Sequence, residues 1–441
     1  MSQSLGRQYT KFVSQNIFGM LGISIYILAD TFYISKAAGA DGITVLNLCL
    51  PLYNLIYAIG SMIGAGSATR FTLYKVQKDP VCDCFFSNAI FCSIIISIPF
   101  ILAGLIVPDR VLKLMGGDSS IVALGVPYAR IFMMFAPFFM INFVVNAFVR
   151  NDNAPSTAMV ATLLGSLFNI IFDYIFMFPM GMGMAGAALA TAISPIVSTC
   201  VCGTHFIRGD NQIRFLWQKP SLQRLVQACQ LGTPAFIGEF SSGVTTTTFN
   251  FLILRLAGNV GVAAYGVIAN LALVATSMFN GVAQGSQPLV SSYYGKGDRR
   301  SAGKLLKYGL LTSLCIAVLA VVGTRIGTDI LIAIFNSEGS QELRNLAYDG
   351  IRIYFPGFLF AGLNITATGY LSATDCALQA LAASFSRGVV AIILCAFVLA
   401  HFFGMTGVWY SFMAAELITL LLVTGMLLWE NRSKGQQQEK A

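Results

Sequence analysis

Hydrophobic positions along this chain come in long, nearly unbroken runs, and polar positions collect between them. FFSNAIFCSIIISIPFILAGLIV (residues 85–107) is representative, with no period-2 alternation and no charge. Runs of about 20 such residues read as membrane-spanning helices, and their uniform apolarity excludes barrel strands. The pattern predicts twelve spans: 12–34, 43–69, 86–107, 121–148, 157–178, 184–206, 229–254, 260–287, 305–324, 345–370, 377–401 and 405–429. The first run leads into a loop and a second span without a small-residue cleavage site, which predicts a retained helix rather than a signal peptide.

Composition agrees. Hydrophobic residues make up 56% and charged residues 10% of the 441, against about 25% charge in soluble domains. The expected fold is therefore all-α and membrane-embedded. Most of the 27 Lys and Arg residues fall on one side of the spans if the N-terminus is cytoplasmic; Arg150 and, in the first half of span 377–401, Arg387 are counted with that side. The positive-inside rule then places both termini in the cytoplasm and the chain in the inner cell membrane. The same bias accounts for a net charge of +8 without nucleic acid; the excess faces anionic lipid. Most of the ten cysteines lie in or beside apolar spans, where cysteine acts as a small hydrophobe. Cys82 and Cys84 sit in a reducing loop, and with only two histidines no metal centre is expected.

The pattern repeats. At an offset of 219 residues Gly39, Gly42, Gly66, Ser67, Tyr74 and Asp79 fall on Gly258, Gly261, Gly285, Ser286, Tyr293 and Asp298. At 222, Arg130, Ile131 and Asn142 fall on Arg352, Ile353 and Asn364; GMGMAG at 181 meets FFGMTG at 402. A duplicated unit of six spans enters the membrane twice from the same side, giving two parallel six-helix repeats around a central cleft. The expected organisation is an N-terminal lobe (1–206), a cytoplasmic linker (207–224) and a C-terminal lobe (225–441). The glycines at 39, 42, 258 and 261 belong to chain reversals. Such a layout suits a carrier better than a channel.

Polar residues inside the spans carry the candidate chemistry. In FNIIFDYIF (168–176), Asn169 and Asp173 are four apart and share one helix face. A charge at mid-bilayer costs about 2.5–3.5 kcal/mol, so Asp173 needs a wet cavity or a partner. No basic residue of the N-terminal spans sits at matching depth. The carboxylate can take a mobile cation, H⁺ or Na⁺, or make a structural hydrogen bond to a neighbouring helix. Asp30 ends the first span and Thr191 lies in the sixth. Glu239 opens a polar stretch, GEFSSGVTTTTFN, and Glu416 in the twelfth span must also face inward. Asn47, Tyr53, Asn54 and Tyr57, Asn142 and Asn146, and Asn270 and Asn280 are candidates to line the cleft and bind substrate. Met133, Met134, Phe138, Phe139 and Met140 form a soft patch of the kind promiscuous binders use.

Three stretches carry a resemblance: ADTFYISKAAGADGITVLNLCLPLYNLIYAIGSMIGAG, RNDNAPSTAMVATLLGSLFNIIFDYIF with GMGMAGAALAT, and LGTPAFIGEF with AAYGVIANL and AQGSQPLVSSYYGKGD. In order and spacing the chain resembles the multidrug and toxic compound extrusion (MATE) family, in the branch of bacterial DinF-like and MepA-like exporters. The resemblance implies a cation-coupled antiporter of two six-helix lobes that expels amphipathic, often cationic compounds. It implies an N-lobe cation site at Asp30, Asn169, Asp173 and Thr191, and a C-lobe acid at Glu239. Two departures stand out: the tenth span offers Asn364 but no carboxylate, and Gln15 stands where many members bend the first helix at a proline. The expected function is alternating-access export of small organic molecules in exchange for H⁺ or Na⁺. The alternative is a flippase for a lipid-linked precursor. No covalent chemistry, cofactor or nucleic-acid partner is expected, and the protein is expected to be a monomer.

Overall fold

The computed structural model describes residues 4–115, 119–207, 209, 211–335 and 340–438. Twelve helices account for nearly all of them, and no strand occurs among the described residues. They are α1 Leu5–Gly39, α2 Asp41–Val76 and α3 Cys82–Ile106. Then come α4, Ser119–Met134 and Ala136–Asn151 with a 45° bend between them, and α5 Pro155–Met177. α6 is Gly183–Gly203, α7 is 222–257, and α8 is Val260–Gly295. α9 is Arg299–Phe335, and α10 runs Gln341–Tyr354 through a 3₁₀ turn at Phe355–Gly357 into Phe358–Ala373. α11 (377–403) contains a π turn at Ser386–Val390, and α12 is 405–438.

Eight of the described helices are apolar and long enough to cross a membrane by themselves, and the bent α4 makes a ninth. One of the eight, Ala377–Leu427, is divided into α11 and α12 by Gly404 (φ 58°). α7 falls short because hydroxyls dilute its hydropathy, and α10 because its 3₁₀ turn shortens each piece. These complete the expected twelve. The helices outrun the apolar runs; α9 begins six residues before the expected span. Gly39, Gly258 and Gly404 each turn the chain at a single residue in the left-handed region (φ 60°, 62° and 58°), where loops were expected.

The backbone shows the repeat independently of the sequence matches. Besides Gly39 and Gly258, positive φ recurs at Lys78 and Gly297, at Asn153 and Asp375, and at Gly183 and Gly404. Those pairs keep the offsets of 219, 222 and 221 residues read from the sequence.

The two halves meet through matched close contacts. A Cβ on Gly66 of α2 would lie 1.9 Å from Ala228 O of α7, and one on Gly232 would lie 1.9 Å from Met62 O. On α8, a Cβ on Gly285 would lie 2.8 Å from Val13 Cα, and one on Gly281 2.7 Å from Ile17 Cα. The 219 offset converts Gly66 into Gly285 and Val13 into Gly232, so the α2–α7 and α8–α1 contacts are copies of each other. Small residues permit this approach in a membrane, where packing replaces the hydrophobic drive. Bonds across the seam follow: Tyr9 to Thr312 (2.9 Å), Ser24 to Ser277 (2.7 Å), Gln287 to Thr69 (2.8 Å) and Arg70 to Asp375 (2.9 Å).

Two basic residues counted with the cytoplasmic charges lie inside helices, Arg150 buried and Arg387 half-buried. Arg150 closes α4 and donates to Asn16 (3.2 Å) and, across the seam, to Gln284 (3.0 Å). Arg387 lies in the π turn of α11 and pairs with Glu416. Arg208 and Asp210 of the linker lie outside the described residues. From 211 to 220 the linker is irregular and lies along α3. Leu216 N donates to Ser87 (2.7 Å), Ser221 N to Asn88 (2.6 Å), and Phe215 and Trp217 pack on Phe91. Its start is pinned by Asp152, fully buried, which accepts from Lys75 Nζ (2.5 Å), His205 Nε2 (2.9 Å) and Gln212 N (2.8 Å). The linker thus packs as part of the N-terminal helices.

Candidate functional site

α5 and α6 pack closely because Gly165 sits against Ser194 O, where a Cβ would be 3.1 Å away. One turn further along α5, the i, i+4 pair Asn169 and Asp173 points into the same interface, and both are fully buried. With its amide nitrogen toward Asp173 Oδ2 (3.1 Å), Asn169 accepts from Thr191 Oγ1 (3.2 Å) and Thr191 N (3.3 Å) on α6. Asp30 of α1 completes the group: it is 8% exposed and its carboxyl neighbours that of Asp173. All four residues singled out by the resemblance therefore converge from α1, α5 and α6.

Two neighbouring carboxyl groups can share a hydrogen bond only if one of them carries a proton. Among the described residues Oδ1 of Asp30 and Oδ1 of Asp173 are buried and have no hydrogen-bond partner. Neither carboxyl is paired with a Lys or Arg among the described residues. Burying two acids side by side without a fixed cation is costly unless a proton or a small cation joins them. Tyr26 and Tyr128 flank both acids. The hydroxyls of Tyr26 and Tyr53 are 3.2 Å apart, Tyr53 stacks on Tyr57 (4.1 Å) and on Phe132 (4.9 Å), and Tyr57 leans on Phe139 (5.5 Å). Tyr53 and Tyr57 thus form an aromatic wall beside the acids.

Other candidates part company. Met133 is fully buried in the N-terminal core with Phe139 and Met140, so this part of the soft patch is packing, while Met134 is exposed. Its period suited either reading, and Gly104 of α3 closing on Met133 decides it. Phe138 is exposed beside Phe135. Asn142 accepts from Thr199 (3.4 Å) on α6 and Asn146 donates to Thr162 (3.1 Å) on α5, both within their own half. Asn47 is exposed, Asn54 lies against Gly243 of α7, and Asn270 and Asn280 are half-buried on α8. Glu239 is half-buried on α7, with no hydrogen bond or ion pair among the described residues. A groove of about 490 Å³ opens at the end of its hydroxyl run, lined by Thr247, Asn250, Phe251, Leu254 and Val262.

Sequence reasoning missed a second polar cluster. Glu416 of α12, 2% exposed, accepts from Arg387 Nε (2.6 Å) and from Asn364 Nδ2 (2.8 Å) of α10. Asn364 also donates to the Glu416 backbone oxygen (2.8 Å). Asn364 and Glu416 were each noted in the sequence, but Arg387 was counted with the cytoplasmic charges, so the pair could not be drawn. The signal was a lone Arg inside an expected span, 377–401, with no other Lys, Arg, Asp or Glu.

The fold and these clusters define a class: a multi-pass helical membrane transporter built from two like-oriented repeats. Comparison with known proteins gives the family. The MatE family model matches residues 16–175 and 234–397, one match in each repeat, and the chain belongs to the MatE family. It is similar to the multidrug export protein MepA of Staphylococcus saprophyticus, at 27% identity over 408 residues, covering 92% of this chain and 89% of that one. MepA of Staphylococcus aureus strain MRSA252 is 26% identical over 419 residues, 93% and 90% of the two chains. Among solved structures, an outward-facing multidrug resistance MATE family transporter superposes with a TM-score of 0.91 at 20% identity, over 100% of this chain and 98% of that one.

Proposed function

We propose that this protein exports amphipathic, often cationic organic compounds across the inner cell membrane by alternating access, in exchange for H⁺ taken at the Asp30–Asp173 pair. The single observation that carries the coupling is two buried, neighbouring carboxyls with no Lys or Arg paired to either among the described residues. The export reading is supported by the likeness to the multidrug export protein MepA. Loading the pair favours one arrangement of the halves and substrate favours the other; each shifts the balance only by its differential affinity. One charge moving inward across 100 mV supplies about 2.3 kcal/mol, enough for roughly a fiftyfold gradient. Asn169 and Thr191 orient Asp173 and offer oxygens, which supports Na⁺ as the second reading. The positive-inside bias supports cytoplasmic termini.

Transport in vesicles under separately imposed pH and Na⁺ gradients tests the reading. A pH gradient alone should drive substrate movement, and a Na⁺ gradient alone should not. Movement driven only by Na⁺ replaces the proton with Na⁺ at the same residues. Movement indifferent to both gradients ends the antiport proposal.

A further inference from the structure

The two repeats differ most sharply at a corner that the transport site does not use. α9 opens the second repeat's third span with Arg299, Arg300, Lys304 and Lys307, all exposed, just after exposed Lys296. None of the four has a salt bridge among the described residues. The nearest acid, Asp298, is engaged in capping the helix, accepting from Ser301 N at 3.0 Å.

The helical period sorts these cations. Arg300, Lys304 and Lys307 lie at i, i+4 and i+7, and the same face continues through Leu311, Leu314, Val318 and Val322. These apolar side chains are 62%, 40%, 45% and 48% exposed, so the face is turned away from the protein. It ends at Arg325, exposed, about 27 Å from Lys307 along the axis, close to the roughly 30 Å hydrocarbon thickness. One helix face thus presents three cations followed by one bilayer's depth of uncovered apolar surface.

The first repeat gives an internal comparison. At the 219 offset Arg300, Lys304 and Lys307 fall on Val81, Phe85 and Asn88 of the α3 corner. Phe85 and Asn88 are buried, and Asn88 holds the linker at Ser221. There the chain covers the corner with its own linker. On α9 the equivalent surface is uncovered and basic.

We propose that this face of α9 seats one anionic phospholipid, its phosphate on Arg300, Lys304 and Lys307 and an acyl chain along Leu311, Leu314 and Val318. Charge complementarity and the unbroken step from cations to exposed apolar surface select that occupant. A soluble anion would have no use for the stripe, and a neutral lipid none for the cations. Clusters of Lys and Arg beside a span attract anionic headgroups at about 1 kcal/mol per residue.

Native mass spectrometry of the full chain in detergent, offered phosphatidylglycerol or phosphatidylcholine, reads the site directly. The native chain should retain phosphatidylglycerol preferentially, and Arg300→Gln/Lys304→Gln/Lys307→Gln should reduce that preference by at least about tenfold. Arg7→Gln/Lys11→Gln/Lys219→Gln removes the same charge from other exposed positions and should retain it. Equal loss in both triple variants reduces the effect to diffuse surface charge and overturns the seat. So does an unchanged preference in the first, or full displacement of lipid by excess inorganic phosphate. The charge-keeping variant Arg300→Lys/Lys307→Arg should bind as the native chain does, which separates lost recognition from lost folding.

Discussion

Each half of the molecule buries acid between its last two helices, and the two halves neutralise it differently. In the second repeat Glu416 has a resident cation, Arg387, and an amide donor, Asn364. In the first, Asp173 has a second carboxyl, Asp30, and an amide, Asn169, with no Lys or Arg paired to it. The 222 offset makes the relation explicit. Asn364 and Arg387 fall on Asn142 and Gly165, and at the 221 offset of the last helix Glu416 falls on Pro195, whereas Asn169 and Asp173 fall on Ala391 and Cys395. The two sites therefore share the equivalent pairs α5–α6 and α11–α12, one turn apart. Where the second repeat inserts Arg387, the first has Gly165, whose missing Cβ lets α5 close on Ser194. A buried carboxylate with a tethered guanidinium has its counter-charge fixed; one beside another carboxyl must borrow a mobile cation. The same backbone supports either outcome, and the identity of one residue on a neighbouring turn selects between them.

The comparison breaks most visibly in transport. Asp173→Asn, and to a similar extent Asp30→Asn, should lower gradient-driven export by about 5- to 150-fold, the span of ordinary coupling energies. Downhill movement of substrate should persist. Glu416→Gln should leave the pH dependence of export in place. Vesicle transport with and without a pH gradient checks all three; pH-driven export that survives in Asp173→Asn would falsify the assignment of roles to the two halves.

Stability should show the reverse. Arg387→Met strands Glu416, 2% exposed, without its counter-charge, which costs about 3–5 kcal/mol in comparable buried pairs. Arg387→Met/Glu416→Leu removes both charges and should recover most of the loss. Denaturation of purified protein in detergent measures both. A double variant no more stable than the single one would mean that Arg387 works through packing and not through charge.

How much of this was legible depended on whether the determining contacts were local. Spans, repeat and the Asn169–Asp173 face rest on periodicity within a helix, which the chain states directly. That Asp30 would meet Asp173 came from resemblance, since residues 143 apart carry no local signal. Arg387 illustrates the limit most clearly. Its neighbourhood read as a span, 377–401, and its charge was counted with the cytoplasmic side, because a mid-membrane guanidinium is costly unless paired. Its partner lies on another helix, and the π turn that presents it is invisible to a 3.6-residue period. Met133 failed for a related reason: helical spacing gives a face, and only Gly104 on a separate helix shows that the face is closed.

The finest test uses a buried-span position at which both repeats keep an asparagine. Asn142 and Asn364 are equivalent, yet Asn142 only accepts a long bond from Thr199 (3.4 Å), at the edge of hydrogen-bonding range. Asn364 is fully buried and donates twice to Glu416 at 2.8 Å, once to a charged oxygen. Bonds to charged groups contribute about 1.5–3 kcal/mol, so Asn364→Ala should destabilise by that amount. Asn142→Ala should cost about 0.5 kcal/mol or less, since the Thr199 hydroxyl also donates to Pro195 O at 2.7 Å. The same substitution at equivalent backbone positions holds propensity and packing nearly constant, so the difference isolates what a carboxylate with a tethered partner demands of its surroundings. Equal costs at the two sites would trace the Asn364 effect to the helix scaffold and dissolve the distinction between a fixed and a mobile counter-charge.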